Sequence, residues 1–219
     1  MAFSKRIKYL ASLVEKDVNV IDIGCDHGLL DIYLTLYNNN QCIAADINEK
    51  AIQNAKDNIK KYNLNIPTVI SNGLENITIL ENVTCVIAGM GTNTMIDILN
   101  VPKANDIDTY ILQTNNDYYH LRKFMVNKGY YIIDELTFID KKIRYIVIKF
   151  KKGNKKYTDI ELKLGPVLMK KNNDDVSRYF QELYEENIKI LKELPKKYIF
   201  KILKIKKMNK IIKKLFERR

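Results

Sequence analysis

The sequence predicts an α/β protein: a mostly parallel seven-stranded sheet with helices on both faces, a terminal antiparallel hairpin, and a C-terminal α-helical coiled-coil-like hairpin. Three observations predict it. Up to about residue 128, short β-branched apolar runs alternate with helical patterns. Two β runs then follow one another with four residues between them. From Lys151 onward the strand pattern gives way to apolar residues at heptad spacing.

The elements are read in order. Phe3, Ile7, Leu10 and Val14 have helical spacing, interrupted by Lys5, Arg6 and Lys8, so a surface helix is expected, capped by Ser4 or starting just before it. Strands are expected at Asn19–Gly24, Gln41–Ile47, Pro67–Asn72, Cys85–Met90 and Thr109–Thr114, each short and apolar as buried parallel strands are. Helices are expected between them at Leu29–Tyr37, Glu49–Tyr62, Thr92–Leu99 and Asp117–Lys128. Tyr130–Ile139 and Arg144–Phe150, joined by Asp140-Lys141-Lys142-Ile143, read as a hairpin, which places an antiparallel strand in the sheet. A short strand is expected near Asp159–Leu164. Val176, Phe180, Leu183, Asn187, Ile190 and Leu194 form one heptad seam, and Ile202, Ile205, Asn209, Ile212 and Phe216 a second. Pro195 lies between them and is expected to open the second helix at its first turn. Asn187 and Asn209 fall in the seams, where a polar residue can set register. The division that follows is 1–152 for the sheet domain and 153–219 for the helical one.

Composition narrows the class. A chain of 219 residues supports one core of about 150 residues and an appendage. At 46% hydrophobic it is not expected to be disordered. No apolar run reaches the roughly 18 residues of a membrane span, and the N-terminus lacks the apolar block of a signal peptide. Cys25, Cys42 and Cys85 match no zinc spacing and are too few and odd in number for a disulfide framework. A cytoplasmic monomer with no metal and no membrane partner is expected.

The charge is uneven. Residues 1–150 carry 16 Lys and Arg against 17 Asp and Glu, whereas residues 151–219 carry 21 against 9. Lysine-rich composition alone would spread the excess evenly. A basic end on a near-neutral body points to a polyanion, nucleic acid before membrane.

The first strand runs into Asp22-Ile23-Gly24-Cys25-Asp26-His27-Gly28 and then a helix, which is a nucleotide-binding turn. Asp46 ends the second strand 22 residues after Gly24, where an acid binds ribose hydroxyls. In a dinucleotide site a glycine at position 26 would let backbone approach pyrophosphate. Asp26 would repel it, but suits a cofactor that carries a positive sulfonium and no phosphate. The turn therefore favours S-adenosylmethionine over NAD, with Asp22, Gly24, Asp26, His27, Gly28, Asp46 and Ile47 as candidate contacts. Asp46 can also cap the next helix, and His27 can serve only to start one. Asn72 and Gly73 end the third strand and are candidates for the adenine side, or a plain Asn-Gly turn. Ala88, Gly89 and Met90 end the fourth. They lack the Asn/Asp-Pro-Pro-aromatic motif that binds an exocyclic amine, and leave an open floor for a flat base.

Five alternating units plus a terminal hairpin make the strand inventory of the Rossmann-like class I methyltransferases. Phe3-Ser-Lys-Arg-Ile-Lys-Tyr-Leu, the Asp22 turn, Ile87-Ala-Gly-Met-Gly, Ile111-Leu-Gln-Thr-Asn and the Asp134–Tyr145 hairpin occur in that order. Together they resemble the bacterial tRNA adenine-22 N1-methyltransferases, which join such a domain to a C-terminal coiled-coil-like one. The resemblance implies S-adenosylmethionine as cofactor, tRNA as partner, and methyl transfer to adenine N1. The chain departs from the family's pattern at Thr92, where a glycine is usual, at Thr114, where proline is usual, and at Gly28-Leu29-Leu30-Asp31, where Ala-Tyr-Leu-Pro is usual.

N1 of adenine has an in-plane lone pair and needs no deprotonation, and the methylated ring becomes cationic. Asp26 is the candidate catalytic group, as an electrostatic partner of that charge or a base on the N6 amine; the alternative is a ligand of the cofactor's amine. Arg6, Arg122, Lys141, Lys142, Arg144, Lys196 and Lys197 are expected to contact RNA. The rival readings are a non-catalytic RNA-binding protein on the same scaffold, a methyltransferase with another RNA target, and an NAD(P) oxidoreductase.

Overall fold

The structure is a computed structural model and describes residues 3–217. Seven strands form one sheet: β1 (Asn19–Ile23), β2 (Gln41–Asp46), β3 (Thr68–Ile70), β4 (Val83–Met90), β5 (Thr109–Thr114), β6 (Tyr130–Asp140) and β7 (Ile143–Lys152), in the order β3-β2-β1-β4-β5-β7-β6. β1 to β5 pair in parallel, and β7 runs antiparallel between β5 and β6. The strand order reverses at β1 and β4, so the crevice outside their carboxyl ends is where this topology places a ligand. β3 is only three residues long, at the sheet edge.

Local signals place the helices. α1 (Lys5–Ala11) starts where the Ser4 hydroxyl accepts the Ile7 N–H at 3.2 Å. α2 (Leu29–Asn38) follows the glycine turn. α3 (Glu49–Lys61) is capped by Asn48, has Glu49 at its positive end and Lys60 and Lys61 at its negative end, and buries Ala51, Ile52, Ala55 and Ile59 along one face. α4 (Thr92–Leu99) and α5 (Tyr118–Asn127) complete the layers.

Two expectations for the C-terminal part are corrected. Asp159–Leu164 is not a strand but a short helix, α6. Thr158 and Glu161 form a reciprocal capping box there, a start signal that outweighs the β-like run beside it. Pro195 does not open a helix. It begins a turn in which the Tyr198 N–H reaches its carbonyl at 3.0 Å, and the second long helix starts at Ile199. Leu194 before it is extended, as a residue preceding proline prefers to be.

The long helices α7 (Asp174–Glu193) and α8 (Ile199–Phe216) pack as an antiparallel pair. Asn187 and Asn209 meet across the seam, with Asn187 Nδ2 donating to Asn209 Oδ1 at 2.8 Å. Val176, Phe180, Ile212 and Leu215 belong to the same core as the sheet. The far end of the pair stands in solvent, with Phe200 86% exposed.

Arg122 corrects another expectation. Its place on a surface-like helix makes it a candidate RNA contact, yet its side chain is fully buried and pairs with Glu135, Nε to Oε1, at 2.7 Å. Arg122 Nη1 also donates to the Leu162 carbonyl, and Glu135 Oε2 accepts the N–H groups of Val167 and Leu168. The pair thus fastens the start of the C-terminal segment to α5 and β6. Gly165 makes room for it: at φ +93° it favours glycine, and a Cβ there would lie 2.9 Å from Arg122 Nη2. Arg122→Met leaves Glu135 buried without its cation and is expected to cost about 3–5 kcal/mol of stability, part of it regained when Glu135→Leu is added. Urea unfolding of the two variants checks this; an unchanged midpoint for Arg122→Met contradicts it.

Candidate active site

The turn after β1 is held by its neighbour strand. The N–H groups of Gly24 and Cys25 both donate to the Ala45 carbonyl, at 2.8 and 3.0 Å. Asp26 follows with φ +50°, a left-handed conformation that aspartate tolerates better than most residues. Its N–H donates to Asp46 Oδ2 at 3.2 Å, and Asn48 N–H donates to Asp46 Oδ1 at 2.9 Å. One carboxylate at the end of β2 therefore fixes both the turn after β1 and the turn into α3, with lone pairs left on both oxygens.

Three cavities open along the carboxyl ends of the strands. One, of about 400 Å³, is lined by Ile23, Ile47, Asn72, Gly73, Leu74, Glu75, Met90 and residues of α4, including Asp97 and Ile98. A second, of about 220 Å³, is lined by Arg6, Asp22, Gly24, Asp26, His27 and Ala88 among others. The third, of about 400 Å³, is bounded by Arg6, Gly89, Gln113, Thr114, Asn115, Tyr118, Arg144 and Tyr145. Most of the expected cofactor contacts thus fall on the first two cavities. Gly89 falls on the third. Gly28 and Asp46 line none of them; Gly28 stands behind the turn, where a Cβ would come 3.1 Å from that of Ala55 in α3, so it serves helix packing. Asn72 Nδ2 donates to Glu75 at 2.8 Å, which orients the amide.

Arg6 is the wall between the second and third cavities. Its Nε donates to Gln113 Oε1 at 2.9 Å, its guanidinium lies 5.5 Å from the centre of the Tyr145 ring, and its N–H reaches Asp140. It crosses over Gly89, where φ is +88° and a Cβ would sit 2.8 Å from Arg6 Nη2. Arg6, an expected RNA contact, is half-buried and ties α1 to β4, β5 and the hairpin, where it reaches RNA only through the third cavity. Arg144 is likewise engaged, with Nε and Nη2 both 2.8 Å from the Glu182 carboxylate of α7. Lys141 and Lys142 at the hairpin turn, and Lys196 and Lys197 between α7 and α8, are exposed.

Several walls of these cavities have no local sign in the sequence. Asp97 and Ile98 come from α4, and Tyr118 and Tyr145 from α5 and β7. Gln113 does carry a signal, being a polar residue in the middle of an apolar strand, and it is fully buried. Two departures from the family pattern also meet here. Thr92 Oγ1 and Thr114 Oγ1 are 2.8 Å apart and both buried, and Thr92 Oγ1 donates to the Asn116 carbonyl at 2.6 Å. Asn115 Nδ2 donates to the Gly89 carbonyl at 2.7 Å, so the loops after β4 and β5 are stitched together. The thiol of Cys25 beside the turn is pushed up by burial and by nearby carboxylates, which keeps it protonated and inert.

Among the described residues there is no cluster that fits a metal ion, and no helix long and apolar enough to cross a membrane.

A parallel sheet of this order, with its seventh strand reversed and inserted beside β5, defines the class I methyltransferases, and a methyltransferase-domain family matches residues 3–148. A putative tRNA methyltransferase of Mycoplasma genitalium is 30% identical over 217 residues, 95% of this chain and 96% of the relative. The tRNA (adenine(22)-N(1))-methyltransferase of Bacillus subtilis is 30% identical over 195 residues, 84% of this chain and 82% of the relative. The chain belongs to this bacterial tRNA methyltransferase family. In structure it is similar to the M. capricolum member solved with S-adenosylhomocysteine, at 29% identity and TM-score 0.82 over 99% of both chains. It is also similar to the Streptococcus pneumoniae putative tRNA (m1A22) methyltransferase, at 26% identity and TM-score 0.88 over 99% of this chain and 100% of the other.

Proposed function

We propose that this chain transfers a methyl group from S-adenosylmethionine to N1 of adenine 22 in tRNA. The observation that carries the reading is the arrangement around Asp46: a half-buried carboxylate at the end of β2, fixed by two backbone donors and able to accept two more hydrogen bonds. Family membership over nearly the whole chain supports the acceptor.

The residues fit the cofactor. Asp46 takes the ribose hydroxyls, with the apolar cavity of Ile47, Leu74 and Ile98 for the adenine and the acidic cavity of Asp22 and Asp26 for the cationic end. When bound, S-adenosylmethionine supplies a methyl on a positively charged sulfur. The third cavity, bounded by Tyr118, Tyr145, Gln113 and Asn115, takes the target base. N1 lies on the pairing edge, so the base enters flipped from its stack. The protein's task is alignment of the lone pair and exclusion of water. Asp26, 72% exposed on the second cavity, is the carboxylate assigned to stabilise the positive charge that develops on the ring.

The division of labour is part of the proposal: residues 1–152 carry the cofactor site and residues 153–219 the basic grip. Because the helical pair shares the sheet's core, the grip is best tested by substitution, not truncation. Replacing Lys196 and Lys197 with Gln is expected to weaken tRNA binding and to flatten the slope of log K against log salt by about 0.7–0.9 for each phosphate no longer neutralised, with cofactor affinity unchanged. An unaltered salt slope contradicts the grip. Transfer of labelled methyl from S-adenosylmethionine to unmodified tRNA tests the reaction itself; labelling of neither tRNA nor any other RNA would leave only the non-catalytic binder.

A further inference from the structure

Asp31 lies in the first turn of α2 and is fully buried, and neither carboxyl oxygen has a hydrogen-bond partner. An acid there would ordinarily face solvent beside the positive helix end. Its neighbour is the carboxyl of Asp22, 5% exposed near the end of β1. Two buried carboxylates side by side repel each other strongly, whereas one proton between them turns the repulsion into an O–H···O hydrogen bond and supplies Asp31 with its missing partner. Asp22 also lines the acidic cavity beside Gly24 and Asp26.

We propose that Asp31 shares one proton with Asp22 and thereby sets the charge that the cofactor cleft presents to a cationic ligand, acting as a positioning residue through Asp22. The inference rests on the cofactor reading for its consequence, but not for the shared proton itself.

The surroundings agree. Burial pushes Asp22 up to about 7; Asp31 and Arg6 of α1 pull it down, and Asp46 of β2 raises it. Burial and the Asp22 charge hold Asp31 well above the carboxylate range. The thiols facing the pair, Cys25, Cys42 and Cys85, are held protonated and add no charge. A sulfonium bound beside the pair favours its fully ionised form, so the shared proton leaves to solvent as the cation enters. The product S-adenosylhomocysteine lacks the sulfonium charge and lets the proton return.

The sign for stability follows. The pair holds a proton more tightly in the fold than in the unfolded chain. The stability this gives is complete below the ordinary carboxylate range near pH 4 and is lost as pH rises toward and through about 7. Removing the pair removes this dependence. The wild-type Tm is expected to fall, relative to that of Asp31→Asn, by about 4–8 °C between roughly pH 5.5 and 8.5. Asp31→Leu, which offers Asp22 no donor and leaves it raised by burial, should fall between wild type and Asp31→Asn. Calorimetry in two buffers of different ionisation enthalpy near pH 7 is expected to show about half a proton released per S-adenosylmethionine bound to the wild type, less for S-adenosylhomocysteine, and close to none for Asp31→Asn. Parallel Tm profiles in wild type and both variants overturn the shared proton, whether or not the cofactor binds. A shifted profile with equal proton release in wild type and Asp31→Asn overturns its link to the cleft. Failure of the wild type to bind S-adenosylmethionine, with the Tm difference intact, sinks the cofactor reading and the link to it, and keeps the shared proton.

Discussion

Asp46→Ala is expected to lower the affinity for S-adenosylmethionine by about 10²- to 10⁴-fold. The magnitude follows from two charge-assisted hydrogen bonds to the ribose, each contributing about 1.5–3 kcal/mol. The same change removes the acceptor of the Asp26 and Asn48 N–H groups, so it also loosens the turn that faces the cofactor. Asp46→Asn separates the two effects. Its amide oxygen can still accept a backbone donor, but without charge, and it should lose less than alanine does. The core beneath, with Ala44 and Ala45 fully buried, is untouched, so thermal unfolding should change little. Calorimetry that finds alanine and wild type binding alike removes Asp46 from the site and the cofactor assignment with it.

The second large effect concerns Asp26. A neutral residue there is expected to reduce kcat by about 10²- to 10³-fold while cofactor affinity changes by less than about tenfold. Asp26→Asn is the better variant, because asparagine also tolerates the φ of +50° at this position, whereas alanine adds backbone strain to the loss of charge. His27 Nε2 lies 3.5 Å from Asp26 Oδ2, both side chains being largely exposed. Rapid-mix measurement of a single turnover isolates the methyl-transfer step from tRNA release. Equal losses in rate and cofactor affinity make Asp26 a cofactor ligand, and a wild-type rate removes it from the mechanism.

The sheet is legible in the sequence because each strand is a short apolar run followed by a turn, and the helical pair because its heptads are regular. The Asp22–Gly24–Asp26 turn and Asp46 can be named as candidates from sequence because they stand at strand ends, where the topology places a ligand. What escapes depends on contacts distant in sequence. Arg122 looks like any surface arginine of a helix until Glu135, on the next strand, takes it into the core. Arg6 looks like one of three cations on a surface helix; the Gln113 side chain and the gap over Gly89 turn it inward. The β-like run at Asp159–Leu164 misleads because its capping box is decided by four residues, and the box outweighs six residues of mixed propensity. Thr92 and Thr114 are separate departures from the family pattern. Only the pairing of β4 with β5 shows that they answer each other.

Mapping the methylated position puts cofactor, target base and reaction to the test together. Unmodified tRNA carrying adenine 22 is incubated with the protein and S-adenosylmethionine and then read by reverse transcriptase, which a methyl group on the N1 pairing edge blocks. The expected result is a stop at position 22 that depends on the cofactor and disappears when adenine 22 is replaced by guanine. Methyl transfer to tRNA with no stop at position 22, or a stop that survives the replacement, contradicts the assignment.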